Sequence, residues 1–144
     1  MPTYVCTTAA RLTEKQKERV VDSLTTIHNE ETGAPRYLVQ VVFNEVNPGS
    51  HFIGGQKAPE GQIWIRADIR SGRTEAVKRN MLKRIVDGVS AAAGSPVDAV
   101  WVYLADVPAH SIVEYGQVMC EPGQEDAWFA ALSEETRARL KARV

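Results

Sequence analysis

Apolar residues recur along this chain in two rhythms, and the two alternate. Thr3-Tyr4-Val5-Cys6 is short, apolar and β-prone, which predicts a first strand. Val20, Val21, Leu24, Ile27 and His28 then follow at helical spacing and form one face. Thr13-Glu14-Lys15-Gln16 ahead of them has the form of a capping box, with Thr13 as N-cap and Gln16 reaching back. Gly33 and Pro35 end that helix. Tyr37 to Phe43 is a nearly continuous apolar run, expected for a strand covered on both faces or lying at an interface. The plan is then repeated. Ile63, Ile65, Ala67 and Ile69 alternate at period two in a third strand. Thr74 caps a helix with Val77, Met81, Ile85 and Val89 on one face, Gly94-Ser95-Pro96 stops it, and Val100 to Leu104 is a fourth strand.

The two units align at a constant offset without a gap. Thr13 falls on Thr74, Glu14 on Glu75, Lys17 on Lys78, Gly33 on Gly94, Pro35 on Pro96, Val39 on Val100 and Val41 on Val102. Matches at caps and core strand positions indicate a duplicated βαβ unit. The expected fold class is therefore α+β (an α/β sandwich), with a four-stranded mixed sheet and two helices on one face. One domain is expected over 1–144, with repeat units at about 2–46 and 63–107 and a C-terminal extension from about 108 to 144. Val46 to Gly61, rich in Gly, Pro and Asn, is long enough to be a functional loop or a hairpin. In the extension, Ser111 to Val118 reads as a short strand and Glu125 to Leu132 as a helix, and Ser133 caps a final charged helix. The second face of the sheet still carries apolar side chains, Trp64 and Trp101 among them, so it needs a cover, which argues for oligomerisation.

Composition narrows the function classes. With 144 residues, 44% apolar and 24% charged, the chain can bury a real core. A net charge of −1 gives no electrostatic footprint for nucleic acid. No apolar run approaches the roughly 20 residues that span a bilayer, and no signal-peptide pattern precedes the first strand. Cys6 and Cys120 form neither a disulfide framework nor a metal spacing, and His28, His51 and His110 are scattered. A reduced, cytoplasmic protein without a metal is the expectation.

The candidate chemistry is spread along the chain. Removal of Met1 would expose Pro2 as a secondary amine that titrates near neutral pH and whose aim is set by its ring; the bland alternative is a loose Met-Pro terminus. Arg70 and Arg73, in the loop that opens the second helix, read as an anion clamp or as two solvated arginines. His28 borders a core face, Tyr103 faces opposite to Val102 and Leu104, and Glu114 is either edge protection or a general base.

Together these features resemble the tautomerase superfamily, and within it the cis-3-chloroacrylic acid dehalogenase group. The resemblance runs over nearly the whole chain. It is carried by Arg11-Leu12-Thr13, Phe52-Ile53-Gly54-Gly55, Arg70-Ser71-Gly72-Arg73, Ile85-Val86-Asp87, Trp101-Val102-Tyr103, Val113-Glu114-Tyr115-Gly116 and Trp128-Phe129. Pro2 to Cys6 and Tyr37 to Val46 lean toward homologues that are poor dehalogenases. The resemblance implies that Pro2 delivers a proton to the substrate α-carbon. It implies that Arg70 and Arg73, helped by His28, bind the substrate carboxylate. It implies that Glu114 with Tyr103 activates water for attack at the β-carbon. A cofactor-independent hydratase or dehalogenase-like enzyme, a lyase or hydrolase acting on small unsaturated carboxylates such as 3-haloacrylates and acetylenic acids, is the expectation, with decarboxylase and tautomerase side activity. A homotrimer without nucleic-acid or membrane partners is implied as well. Two other classes stay open: a plain keto–enol tautomerase, in which Glu114 and Tyr103 would be idle, and a non-enzymatic oligomeric binding protein.

Overall fold

The computed structural model describes residues 2–143. Its elements in order are β1 (Thr3–Thr8), α1 (Glu14–Thr32), β2 (Gln40–Glu45), the short pair β3 (Phe52–Ile53) and β4 (Gln56–Lys57), β5 (Ile63–Arg70), α2 (Glu75–Ala93), β6 (Val100–Val107), a second short pair β7 (Val113–Glu114) and β8 (Gln117–Val118), α3 (Glu125–Ala130) and α4 (Glu134–Lys141). The four long strands form one mixed sheet in the order β2-β1-β5-β6. β1 and β2 are parallel, β5 and β6 are parallel, and β1 meets β5 antiparallel at the centre.

The sequence duplication is repeated in the register. Thr3 lies opposite Gln40 in the first unit, and their counterparts Trp64 and Trp101 lie opposite each other in the second. The helix caps repeat too. Thr13 accepts from the Gln16 N–H and closes a full capping box, Thr74 accepts from the Val77 N–H, and Gly33 and Gly94 close the two helices in the left-handed region.

Both long helices cover one face of the sheet. Tyr4, Cys6, Ile63, Ile65, Ala67 and Ile69 point into this layer and meet Val20, Leu24 and Ile27 of α1 and Met81, Ile85 and Val89 of α2. Val21, expected on the core face of α1, is instead 37% exposed, because a helix of this pitch turns position 21 past the edge of the buried stripe. The opposite sheet face presents Val42, Trp101 and Tyr103, all exposed, with Trp64 packed edge-on against Tyr103 at 5.9 Å between ring centres. A second, smaller core sits at one end of the sheet, where Met119, Trp128, Leu132 and Leu140 of the C-terminal extension close over Leu38 and Ala109.

Three boundaries differ from those read in the sequence. The run from Tyr37 is not strand at its start. Pro35 initiates a 3₁₀ turn over Arg36–Leu38, with the Leu38 N–H bonded to the Pro35 carbonyl at 3.1 Å, and pairing begins only at Gln40. Arg70 is the last residue of β5 and not part of the following loop. The segment from Ser111 to Val118 is not one strand but a hairpin, reversed at Tyr115-Gly116, both of which have positive φ. The Val46–Gly61 segment does contain the expected hairpin.

Candidate active site

The sheet end that meets the C-terminal extension gathers most of the candidate residues. β1 starts there and β5 and β6 finish there. Pro2 is buried just ahead of β1, and its carbonyl receives the Gln40 N–H at 3.0 Å. Thr3 pairs with Asp68, so the same register carries Pro2 alongside Ile69, the neighbour of Arg70. Met1, whose removal would free the Pro2 amine, lies outside the described residues.

His28 reaches this end from the last turns of α1. It is 3% exposed, and its Nδ1 is 2.8 Å from the Tyr4 hydroxyl. Burial, reinforced by the charges of Arg73 and Arg70, pushes the imidazole down to about 3. The ring is therefore neutral over the whole physiological range. Burial also raises the Tyr4 phenol well above its ordinary value, so Tyr4 stays protonated. Tyr4 was not singled out in the sequence, where it looks like one more apolar strand residue.

Arg70 is not a solvated surface arginine. It is 4% exposed, and its guanidinium donates from Nη1 to the Cys120 carbonyl at 2.7 Å and from Nη2 to the Glu125 carboxylate. Arg73 is half-buried across the Gly72 turn, and burial and the Arg70 charge both lower its pKa. Glu114, in β7, is half-buried in the second hairpin. Burial lifts its carboxyl from the ordinary 4.5 to about 7, against the opposing pull of the Arg70 charge. Two hollows of about 530 and 390 Å³ open at this end, and Glu114 and Gln40 line both. The Arg70 charge thus acts on Arg73, His28 and Glu114 alike, which marks the four as one electrostatic cluster.

Tyr103 is the exception. It stands on the exposed sheet face at 54% exposure, opposite Arg66, whereas Arg70 pairs with Val107 four positions further along β6. At about 3.3 Å per residue, that separation is roughly 13 Å. Within one copy of the chain the structure does not bring Tyr103 to the cluster.

The chain that places this cluster at one end of a duplicated βαβ sheet matches a known family. A family model described as "Putative oxalocrotonate tautomerase enzyme" matches residues 1–132. The crystal structure of N1, a member of the cis-3-chloroacrylic acid dehalogenase family, is 40% identical and superposes with a TM-score of 0.93, over 97% of this chain and 99% of that one. This chain belongs to the tautomerase superfamily, in the cis-3-chloroacrylic acid dehalogenase family. The crystal structure of native Ps01740, also 40% identical, matches 78% of this family member and 99% of its own chain with a TM-score of 0.73. The F6 fused 4-OT wild-type asymmetric trimer, at 22% identity and a TM-score of 0.75, shares the fold over 81% of this chain and 94% of its own. No match is found among curated proteins.

Among the described residues, no group of three or more His, Cys, Asp or Glu side chains could hold a metal, and no helix is long and apolar enough to cross a membrane. Glu125 and Cys120, which hold Arg70, were missed in the sequence. They lie fifty-five and fifty positions from Arg70, and no local pattern announces such a pair.

Proposed function

We propose that this protein is a cofactor-independent hydratase of short 3-substituted unsaturated acids, 3-haloacrylates and acetylenic acids among them. The observation that carries the reading is Glu114. A carboxyl brought to about 7 is a base poised for use at neutral pH, and it shares its cluster with a clamp for an anion. Arg70 and Arg73 would receive the substrate carboxylate. Drawing its charge toward two guanidiniums makes the β-carbon electrophilic, and the attraction grows as negative charge builds up in the transition state. His28 is neutral; in the tautomer where the Tyr4 hydroxyl donates to Nδ1, the ring proton sits on Nε2 and would add one more hydrogen bond to the carboxylate.

Glu114 would take a proton from a water as the water oxygen bonds to the β-carbon. Pro2, as a free ammonium of ordinary pKa about 7.7–8.0, would give its proton to the α-carbon. With a halide on the β-carbon, the adduct would lose halide and collapse to an aldehyde acid. With a triple bond, the enol formed would become a keto or aldehyde acid. Tyr103, distant from the cluster in one copy, would orient the water from a neighbouring subunit, consistent with a trimer and with the uncovered sheet face.

A screen of 2-ynoic and 3-halo-2-enoic acids beside a simple enol, run on wild type and Glu114→Gln, tests the reading. Selective loss of hydration supports it. Equal activity on the enol in both proteins, with no hydration in either, leaves a plain tautomerase.

A further inference from the structure

The arginine at the heart of the clamp is already partly engaged. Nη1 of Arg70 donates to the Cys120 carbonyl at 2.7 Å and reaches the Cys120 Sγ at 3.5 Å. Nη2 is paired with Oε1 of Glu125, whose Oε2 accepts the Gly123 N–H at 2.8 Å. The ion pair is secluded, with side chains 3% and 19% exposed. Nε of Arg70 is different. It is buried and has no partner among the described residues. A buried N–H with nothing to receive it is costly to fold around, so it marks a place for an acceptor from outside the chain. Arg73 is held close enough for the Arg70 and Glu125 charges to act on it in opposite directions. The clamp is thus two guanidiniums and one resident carboxylate, a net charge of +1.

We infer that Glu125 is a specificity-determining residue: it occupies Nη2 of Arg70, leaves Nε and Arg73 for the substrate, and restricts the site to monocarboxylates. This deepens the reading of Arg70 and Arg73 as the substrate clamp and rests on it. The charge balance gives the reason. Glu125 and one substrate carboxylate together cancel both guanidiniums. A second carboxylate on the substrate would find no uncancelled cation and would also meet the nearby Glu114, whose position the Arg70 charge already reports. A hydrogen, halogen or alkyl group at the β-carbon meets no such penalty. A unit charge at this range in a half-buried site is worth on the order of tenfold in affinity.

The test uses butyrate and succinate, which are unreactive and differ in carrying one carboxylate or two. NMR-detected titrations at pH 8 give their affinities for wild type, Glu125→Gln and Arg73→Ala. Wild type is expected to prefer butyrate by about tenfold or more. Glu125→Gln keeps the length and the acceptor but drops the charge, and should shift the succinate-to-butyrate ratio about tenfold toward succinate. A variant that weakens both acids equally, with an unchanged ratio, would show Glu125 to be purely structural and overturn the inference. If Glu125→Gln fails to fold, wild type still decides, because succinate binding as tightly as butyrate overturns the inference without it. Arg73→Ala separates the two levels. If butyrate affinity survives that change, or neither acid binds wild type, the clamp reading itself is wrong and the inference goes with it. If Arg73→Ala weakens butyrate while Glu125→Gln leaves the ratio fixed, the inference alone is lost.

Discussion

Glu114 is the side chain on which most turns, and its half-buried carboxyl makes two sign-definite predictions. The first is kinetic. The proposed mechanism needs the ionised form, so kcat/KM for hydration, which reports the free enzyme, should rise with pH through about 7. Glu114→Gln should erase that rise and cut hydration by about 10²–10⁴-fold, as expected for loss of a general base. A pH profile of both proteins checks this. The second concerns stability. The folded-state pKa lies above the unfolded one, so folding takes up a proton between 4.5 and about 7. The wild-type contribution is fully present below 4.5 and is lost as pH rises to 7. The Tm of Glu114→Gln, which mimics the neutral form, should match wild type near pH 4, exceed it increasingly up to pH 7, and then run parallel. Other residues at this scale were only partly legible. Glu114 was visible because a carboxylate between Val113 and Tyr115 breaks an apolar pattern. Tyr4 and Glu125 were not, since their significance lies in partners brought near by folding alone.

At the scale of elements, the turn from β5 to α2 sets the spacing of Arg70 and Arg73, the proposed clamp. Gly72 has φ of +102°, which L side chains rarely adopt, and a Cβ there would come within 3.1 Å of Pro122 Cγ. Pro122 follows the Cys120 carbonyl that holds Arg70 by two positions. Gly72→Ala should therefore cost about 1–3 kcal/mol of stability. It should also weaken carboxylate binding, because the strain falls between the two arginines and against the segment that orients one of them. Thermal melts with a ligand titration check both effects. A normal affinity beside a lowered Tm would show that the turn and the clamp are mechanically independent. Helices were the most legible elements, since Thr13, Thr74, Gly33 and Gly94 mark their ends by direct chemistry. The two small hairpins were blurred because strands of two residues are too short to show an alternation. The start of β2 was misplaced because Tyr37 and Leu38 are apolar for a different reason, as parts of the second core.

At the scale of the whole molecule, the uncovered sheet face and the remoteness of Tyr103 make one joint prediction. If copies assemble through this face, then Trp101→Glu should yield a smaller species by light scattering and lose hydration, although Trp101 is far from Arg70 along β6. Complementation tests the sharing of a site. Tyr103→Phe and Arg73→Ala, each impaired alone, should regain part of the activity when co-expressed, because mixed assemblies contain sites with both residues intact. No recovery in mixed assemblies would place Tyr103 and Arg73 in one copy's site or take Tyr103 out of the mechanism. The duplication and the helix layer were legible at this scale because they repeat caps and core positions. The closing of the C-terminal extension over the sheet end was not, since its few apolar residues, such as Met119 and Leu140, follow no sustained period.

A scaffold with near-twofold internal symmetry offers two equivalent corners, yet only one is furnished. Under the same alignment Pro2 corresponds to Ile63, His28 to Val89, Arg70 to Ala9 and Arg73 to Leu12. The far corner is thus a blank twin: its backbone repeats the pairing of the first, while these four positions carry apolar side chains. Ile63 and Val89 are buried there and add to the core that Pro2 and His28 help to build at the other end. Polar residues placed at Ile63 and Val89 should accordingly damage folding more than equal changes at the surface, without creating a second site.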